Sequence, residues 1–152
     1  MFVAILPYSQ YIYAEGMLST KKPQWIDANN HALDYFGGVP ALVVCDNCKQ
    51  AVIVNQDWIE PEPKFKSYVE NATGILEKGF FHKLEERQYF SLEQFNKDLW
   101  KELDALNKKP FKKKEHNRSY YWEEEKLELM TLPTMHYDYM ERKTAKVSSD
   151  FH

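Results

Sequence analysis

The chain has 152 residues, 43% apolar and 28% charged, and carries a net charge of −3. That balance excludes a collagen-like, low-complexity or wholly disordered chain, and it means that any attraction to nucleic acid must come from a local patch. Aromatic residues reach 15%, enough to supply contact surface as well as a core.

Phe2 to Leu6 is a short apolar run that reads as a buried strand. Pro7-Tyr8-Ser9-Gln10 has turn chemistry, and Tyr11 to Glu15 is rich in strand formers. The three pieces predict an antiparallel hairpin. Pro23 suits the first turn of a helix, and Trp25, Ile26, Ala28, Ala32, Leu33, Tyr35 and Phe36 follow at helical spacing. Gly37-Gly38 ends that helix as a left-handed cap does, and Pro40 bars its continuation. Ala41 to Cys45 is then a fully apolar run, expected to be a strand next to the hairpin with helix 23–36 on one face.

Residues 55–67 read as irregular, with Pro61 and Pro63 among charges. From Tyr68 a helical stripe returns through Val69, Ala72, Leu76, Phe80 and Leu84, which would put Glu70 near the first turn. Ser91 with Gln94 three residues later makes a capping box for a helix carrying Leu92, Phe95, Leu99, Leu103 and Leu106 on one side. Pro110 closes that region. Beyond Pro133 no strong helix is predicted. No internal repeat is visible.

Two cysteines, Cys45 and Cys48, cannot form a disulfide scaffold. Their C-x-x-C spacing suits a redox or zinc role, but zinc needs two more ligands and there is no second pair; Cys45 equally fits the last core position of a strand. The longest apolar run is far shorter than the roughly 18 residues a membrane span needs, and the N-terminus lacks the basic region of a signal peptide. The expectation is a cytoplasmic protein without a membrane segment. The abrupt start and finish suggest a piece of something longer.

Asp46, at the end of the expected strand, and Glu70, at the expected helix start, can be read in two ways. Carboxylates converging from two elements suit Mg²⁺, which prefers hard oxygen ligands and supports phosphodiester chemistry. Asp in a turn and Glu in a first helical turn are also common for purely local reasons. Lys108, Lys109, Lys112, Lys113, Lys114 and Arg118 place six positive charges in eleven residues, interleaved with Phe111, His116, Tyr120 and Tyr121. This pattern fits either a phosphate-contacting patch or a solvated charge run.

Phe36-Gly37-Gly38-Val39-Pro40, then Val43-Val44, Asp46-Asn47 and Ala51-Val52, resemble the catalytic core of IstA-type insertion-sequence transposases, in the retroviral integrase superfamily. Phe2-Val3-Ala4, Tyr8-Ser9, Pro63-Lys64, Val69-Glu70, Phe90-Ser91-Leu92, residues 107–111 and Tyr137-Asp138-Tyr139 onward extend the likeness over nearly the whole chain. The resemblance implies an α/β fold: a partial RNase H-like sheet with flanking helices, then a helical segment and a linker. In those terms residues 1–90 are a partial catalytic core, 91–118 a helix and basic segment, and 119–152 a linker to a C-terminal β domain.

The same resemblance implies Mg²⁺- or Mn²⁺-dependent cleavage and strand transfer of transposon ends, with Asp46 and Glu70 as the second and third acidic metal ligands. It also implies transposon-end and target DNA as partners, a homo-oligomer, and a partner ATPase. The first acidic residue of the family lies on a strand before the hairpin, which this chain does not contain. Asp46 and Glu70 are only 24 positions apart, where the family places a further helix and strand. The expectation is a shortened core, weakly active or inactive alone. A non-catalytic remnant that binds DNA or protein is the other reading.

Overall fold

The computed structural model describes residues 1–44 and 63–138, with only the backbone described for 63–66. These residues form a mixed α/β structure. Strands β1 (Phe2–Ile5) and β2 (Ile12–Glu15) pair antiparallel, Phe2 opposite Glu15 and Ile5 opposite Ile12. Helix α1 spans Lys22–Phe36, with Pro23 in its first turn. Helices α2 (Pro63–Leu76) and α3 (His82–Glu85) are joined without a break by a π turn, Glu77–Phe81. Helices α4 (Leu92–Lys108) and α5 (Arg118–Glu125) complete the set, and a short 3-10 turn, Lys126–Glu128, follows α5.

The hairpin forms as its sequence predicts. Leu6 N–H donates to the Tyr11 carbonyl at 3.1 Å to close the loop, and Gln10 takes a positive φ of 55° at its end. β2 is the more buried strand: Ile12, Tyr13 and Ala14 are all sealed from solvent. Its outer edge is closed by α4. Asn107, Trp100 and Asn96 lie on one stripe of that helix and bond in turn to the backbone of Ile12, Ala14 and Gly16. Each asparagine serves both the N–H and the carbonyl of one residue, Asn107 that of Ile12 and Asn96 that of Gly16 just past the strand, as a neighbouring strand would.

The core joins Leu6, Ile12, Ala32, Phe36, Ala72, Leu76, Phe80, Leu84, Leu99 and Leu103. Ala72, Leu76, Phe80 and Leu84 recur every four residues, whereas an α-helix repeats every 3.6. The wider π turn absorbs the mismatch and keeps Phe80 and Leu84 on the buried side.

The Phe36-Gly37-Gly38-Val39 segment is a structural corner. Gly37 caps α1 in the left-handed conformation, φ 78°. A Cβ on Gly38 would stand 2.5 Å from the Leu129 Cβ, so only glycine allows this approach. Val39 and Met130 then exchange two backbone hydrogen bonds of 2.8 Å.

Three sequence expectations are corrected. Residues 41–44 are not a strand, and β1 pairs only with β2 among the described residues. Val39 has already taken Met130 as its partner, and Leu42 and Val43 stay exposed at 68% and 57%, so the apolar run gains no burial there. Residues 63–67 are helical, because Pro63 opens α2 rather than ending an irregular stretch. The segment after Asn117 starts as a helix, α5, not as a linker. Among the described residues no helix is long and apolar enough to cross a membrane.

Candidate nucleic-acid interface

The basic segment is built by the junction of α4 and α5. Pro110 and Asn117 bridge antiparallel, and Phe111 N–H reaches the His116 carbonyl at 3.4 Å, so residues 111–116 form a tight loop. Asn117 fixes both ends. Its Oδ1 accepts from Tyr120 N–H at 2.8 Å and caps α5, while its Nδ2 donates to the Lys108 carbonyl at 3.0 Å. Ser119 adds a bond from its hydroxyl to the Asn107 carbonyl at 3.1 Å. Lys112, Lys113 and Lys114 thus sit exposed at the tip of a braced loop.

Aromatic rings line its base. His116 stacks on Tyr120 at 3.8 Å, Tyr121 stands edge-on to Tyr120 at 5.5 Å, and Phe111 tilts against Tyr121 at 6.2 Å. Tyr8 arrives from the hairpin loop, edge-on to Tyr121 at 6.1 Å. Tyr8 and Tyr120 remain 56% and 47% exposed. Glu124 and Glu125 hold the hairpin loop here: Tyr8 Oη donates to Glu124 at 2.7 Å, and the Tyr8 and Ser9 N–H groups donate to Glu125. The bond to Glu124 raises the Tyr8 hydroxyl above its ordinary pKa.

The cations differ from one another. Lys108 is paired with Asp104 at 2.8 Å, which raises its pKa. Lys109, Lys112 and Lys113 are exposed with no ion pair among the described residues. Lys114 lies over the Phe111 and Tyr121 rings, 5.0 and 5.2 Å from their centroids. Arg118 is only 7% exposed, with its guanidinium 4.6 Å from the Phe111 centroid. Its Nε has no hydrogen-bond partner, and burial lowers its pKa. Glu124 and Glu125 make no ion pair with these cations among the described residues and bond instead to the Tyr8-Ser9 turn.

The carboxylate pair stands apart from this surface. Glu70 lies two turns into α2, not at its start, and is exposed. Its neighbours Val69 and Thr73 face a largely apolar cavity of about 1010 Å³ along β1, and Glu70 does not line it. Asp46, Cys45 and Cys48 fall outside the described residues. Among the described residues no three His, Cys, Asp or Glu side chains gather as a metal site.

Sequence reasoning found the lysines and the interleaved rings. It missed the arrival of Tyr8, the burial of Arg118 and the helix α5. Asn117 three residues before Tyr120 was the available signal for that helix, since Asn is a favoured N-cap.

No protein-family model matches the chain. Several curated proteins align with all of it. One from Sinorhizobium fredii, named "Putative transposase y4bL/y4kJ/y4tB", is 32% identical over 176 residues, which are 34% of its length. "Putative transposase for insertion sequence IS408" of Burkholderia multivorans is 30% identical and covered over 34% of its length. "Putative transposase for insertion sequence IS1162" of Pseudomonas fluorescens is 31% identical and covered over 31%. Each alignment runs over 176 positions and takes in all 152 residues, so at least 24 positions have no counterpart in this chain. The chain spans about one third of the length of the relatives it matches; all three are named "Putative transposase", two of them for insertion sequences.

Proposed function

We propose that the chain is a DNA-handling portion of an insertion-sequence transposase of the IstA type, related to the RNase H-like integrase cores. The observation that carries this reading is likeness at about 30% identity across the entire chain to proteins named "Putative transposase", two of them for insertion sequences. The exposed Lys109, Lys112, Lys113 and Lys114, without ion pairs among the described residues, supply a surface suited to DNA phosphates.

The oxygen donors of Asp46 and Glu70 fit Mg²⁺ or Mn²⁺ by type, and these two residues would hold it. Bound there, the ion would supply activation of a nucleophile for phosphodiester cleavage. Two carboxylates fall short of a complete ligand set, so strand transfer by this chain alone is weak or absent. A second copy of the chain and an ATPase are the partners this reading entails.

The test uses duplex DNA carrying an insertion-sequence end, with the chain at low and rising salt, and then a cleavage assay with Mg²⁺ or Mn²⁺. Salt-sensitive binding with little sequence preference is expected, together with little strand transfer. No binding at low salt overturns the DNA reading. Robust transfer that disappears in Asp46→Asn overturns the incompleteness argument, because another residue would then complete the site. Binding without any metal-dependent chemistry, even when the missing segments are restored from a relative, favours the non-catalytic remnant.

A further inference from the structure

Arg118 poses a physical problem. A guanidinium has five donors and a permanent charge, and burying it without a carboxylate is costly. Arg118 is 93% buried, yet among the described residues it has no ion pair, and its Nε has no hydrogen-bond partner. What it does have is the face of Phe111 at 4.6 Å, with Lys114 over the same ring at 5.0 Å. Two cations therefore converge on one ring, and neither has an ion pair among the described residues. Beside them Tyr120 is braced on one side by His116 at 3.8 Å and is 47% exposed.

We propose that Phe111, Lys114, Arg118 and Tyr120 form a site for an unpaired DNA strand, in which a backbone phosphate meets Arg118 and Lys114 and an adjacent base stacks on Tyr120. The proposal rests on the DNA reading above and adds strandedness to it. A duplex keeps its bases stacked on each other, so it offers phosphates and groove edges but no base face to a protein ring. A single strand can place a base on an exposed ring, which contributes independently of sequence. Phosphate recognition by arginine is favoured by its planar fork, which matches two phosphate oxygens at once. The loop is pre-shaped for this, since Asn117 and the Pro110–Asn117 bridge hold it before any ligand arrives.

The experiment measures fluorescence anisotropy of a labelled oligothymidylate and of a duplex of equal length, at one fixed salt, with the full chain. The single strand is expected to bind more tightly. Tyr120→Ala should weaken single-strand binding by roughly tenfold and leave duplex binding unchanged, while Tyr120→Phe restores it. Arg118→Met should also weaken the single strand, yet hold or raise the thermal midpoint, because it removes an unpaired buried charge. A merely structural Arg118 would instead lower the midpoint. Equal binding of both DNAs, with Tyr120→Ala silent, overturns the single-strand site and leaves the DNA reading standing. No binding of either DNA overturns both.

Discussion

Asn107 and Ile12, 95 residues apart, meet through a two-way hydrogen bond. Ile12 N–H donates to the Asn107 Oδ1 at 3.1 Å, and Asn107 Nδ2 donates back to the Ile12 carbonyl at 2.9 Å and to the Tyr35 hydroxyl at 2.9 Å. Both Asn107 and Ile12 are fully buried. The amide therefore replaces water for a strand edge that no other strand covers among the described residues. Asn107→Leu keeps the volume but strands two backbone groups. Each buried group left unsatisfied costs about 1–3 kcal/mol, so the loss should be at least about 2 kcal/mol. Urea unfolding of wild type and mutant measures it. A loss below about 1 kcal/mol would mean that water reaches this edge.

A second prediction concerns the corner after α1. Gly38→Ala pushes a methyl to 2.5 Å from the Leu129 Cβ and 2.9 Å from the Met130 carbonyl. Neither contact is the far end of a flexible chain, so the backbone has to move. The Val39–Met130 pair lies next in line and should break. A destabilisation of about 1–3 kcal/mol is expected, read by the thermal midpoint. Gly74→Ala is the control: a Cβ there meets nothing within 4 Å, and the change in mid-helix should stabilise slightly.

Those two positions show what was legible in the sequence. The hairpin and α1 were readable because local signals agree: Pro23, the apolar spacing and Gly37 all point one way. The role of Gly38 was not, since it depends on Leu129 arriving from far along the chain. Asn96 and Asn107 interrupt the apolar stripe of α4 and look polar by accident until the strand edge they serve is known. Ala41 to Val44 misled for the opposite reason: an apolar run predicts burial, and among the described residues Leu42 and Val43 stay exposed. At the candidate site, the lysines were visible from composition alone. Arg118 was counted with them because a sequence cannot distinguish a solvated cation from one folded onto Phe111.

Alkaline pH should unfold the protein through three tyrosines. Tyr11, Tyr13 and Tyr35 all have raised pKa values, chiefly because burial disfavours the phenolate. Tyr11 is also stacked between Tyr35 and Trp122, at 5.2 and 4.8 Å. The folded-state pKa lies above the unfolded value of about 10, so the stabilisation is complete below about pH 10 and is lost as pH rises beyond it. There the unfolded chain binds fewer protons than the folded one. Stability should fall by up to about 1.4 kcal/mol per pH unit for each tyrosine. Tyrosinate absorbance and circular dichroism, followed together, should show part of the tyrosine signal appearing only with loss of structure. Full ionisation with intact dichroism would show that these hydroxyls reach solvent.

The salt dependence of duplex binding separates the cations of the basic segment. Lys112, Lys113 and Lys114 sit on the tip of a braced loop and lack ion pairs among the described residues. Lys108 is tied to Asp104 at 2.8 Å, so moving it to a phosphate would sacrifice an existing pair. The chain is acidic overall at −3, and long-range attraction to DNA is correspondingly poor. Binding must therefore depend on direct phosphate contacts, each of which contributes about 0.9 to the log–log salt slope on duplex DNA. Replacing Lys112, Lys113 and Lys114 by Ala should weaken binding to all sequences alike and flatten the slope by about 0.9 for each contact removed. Lys108→Ala should change the slope by less than a single tip lysine does. The measurement is a salt titration of duplex binding for wild type, the triple mutant and Lys108→Ala. Equal affinities and slopes for wild type and triple mutant would make the loop a solvated surface and move the DNA contacts elsewhere. A larger effect from Lys108 would show that its pair with Asp104 opens when DNA arrives.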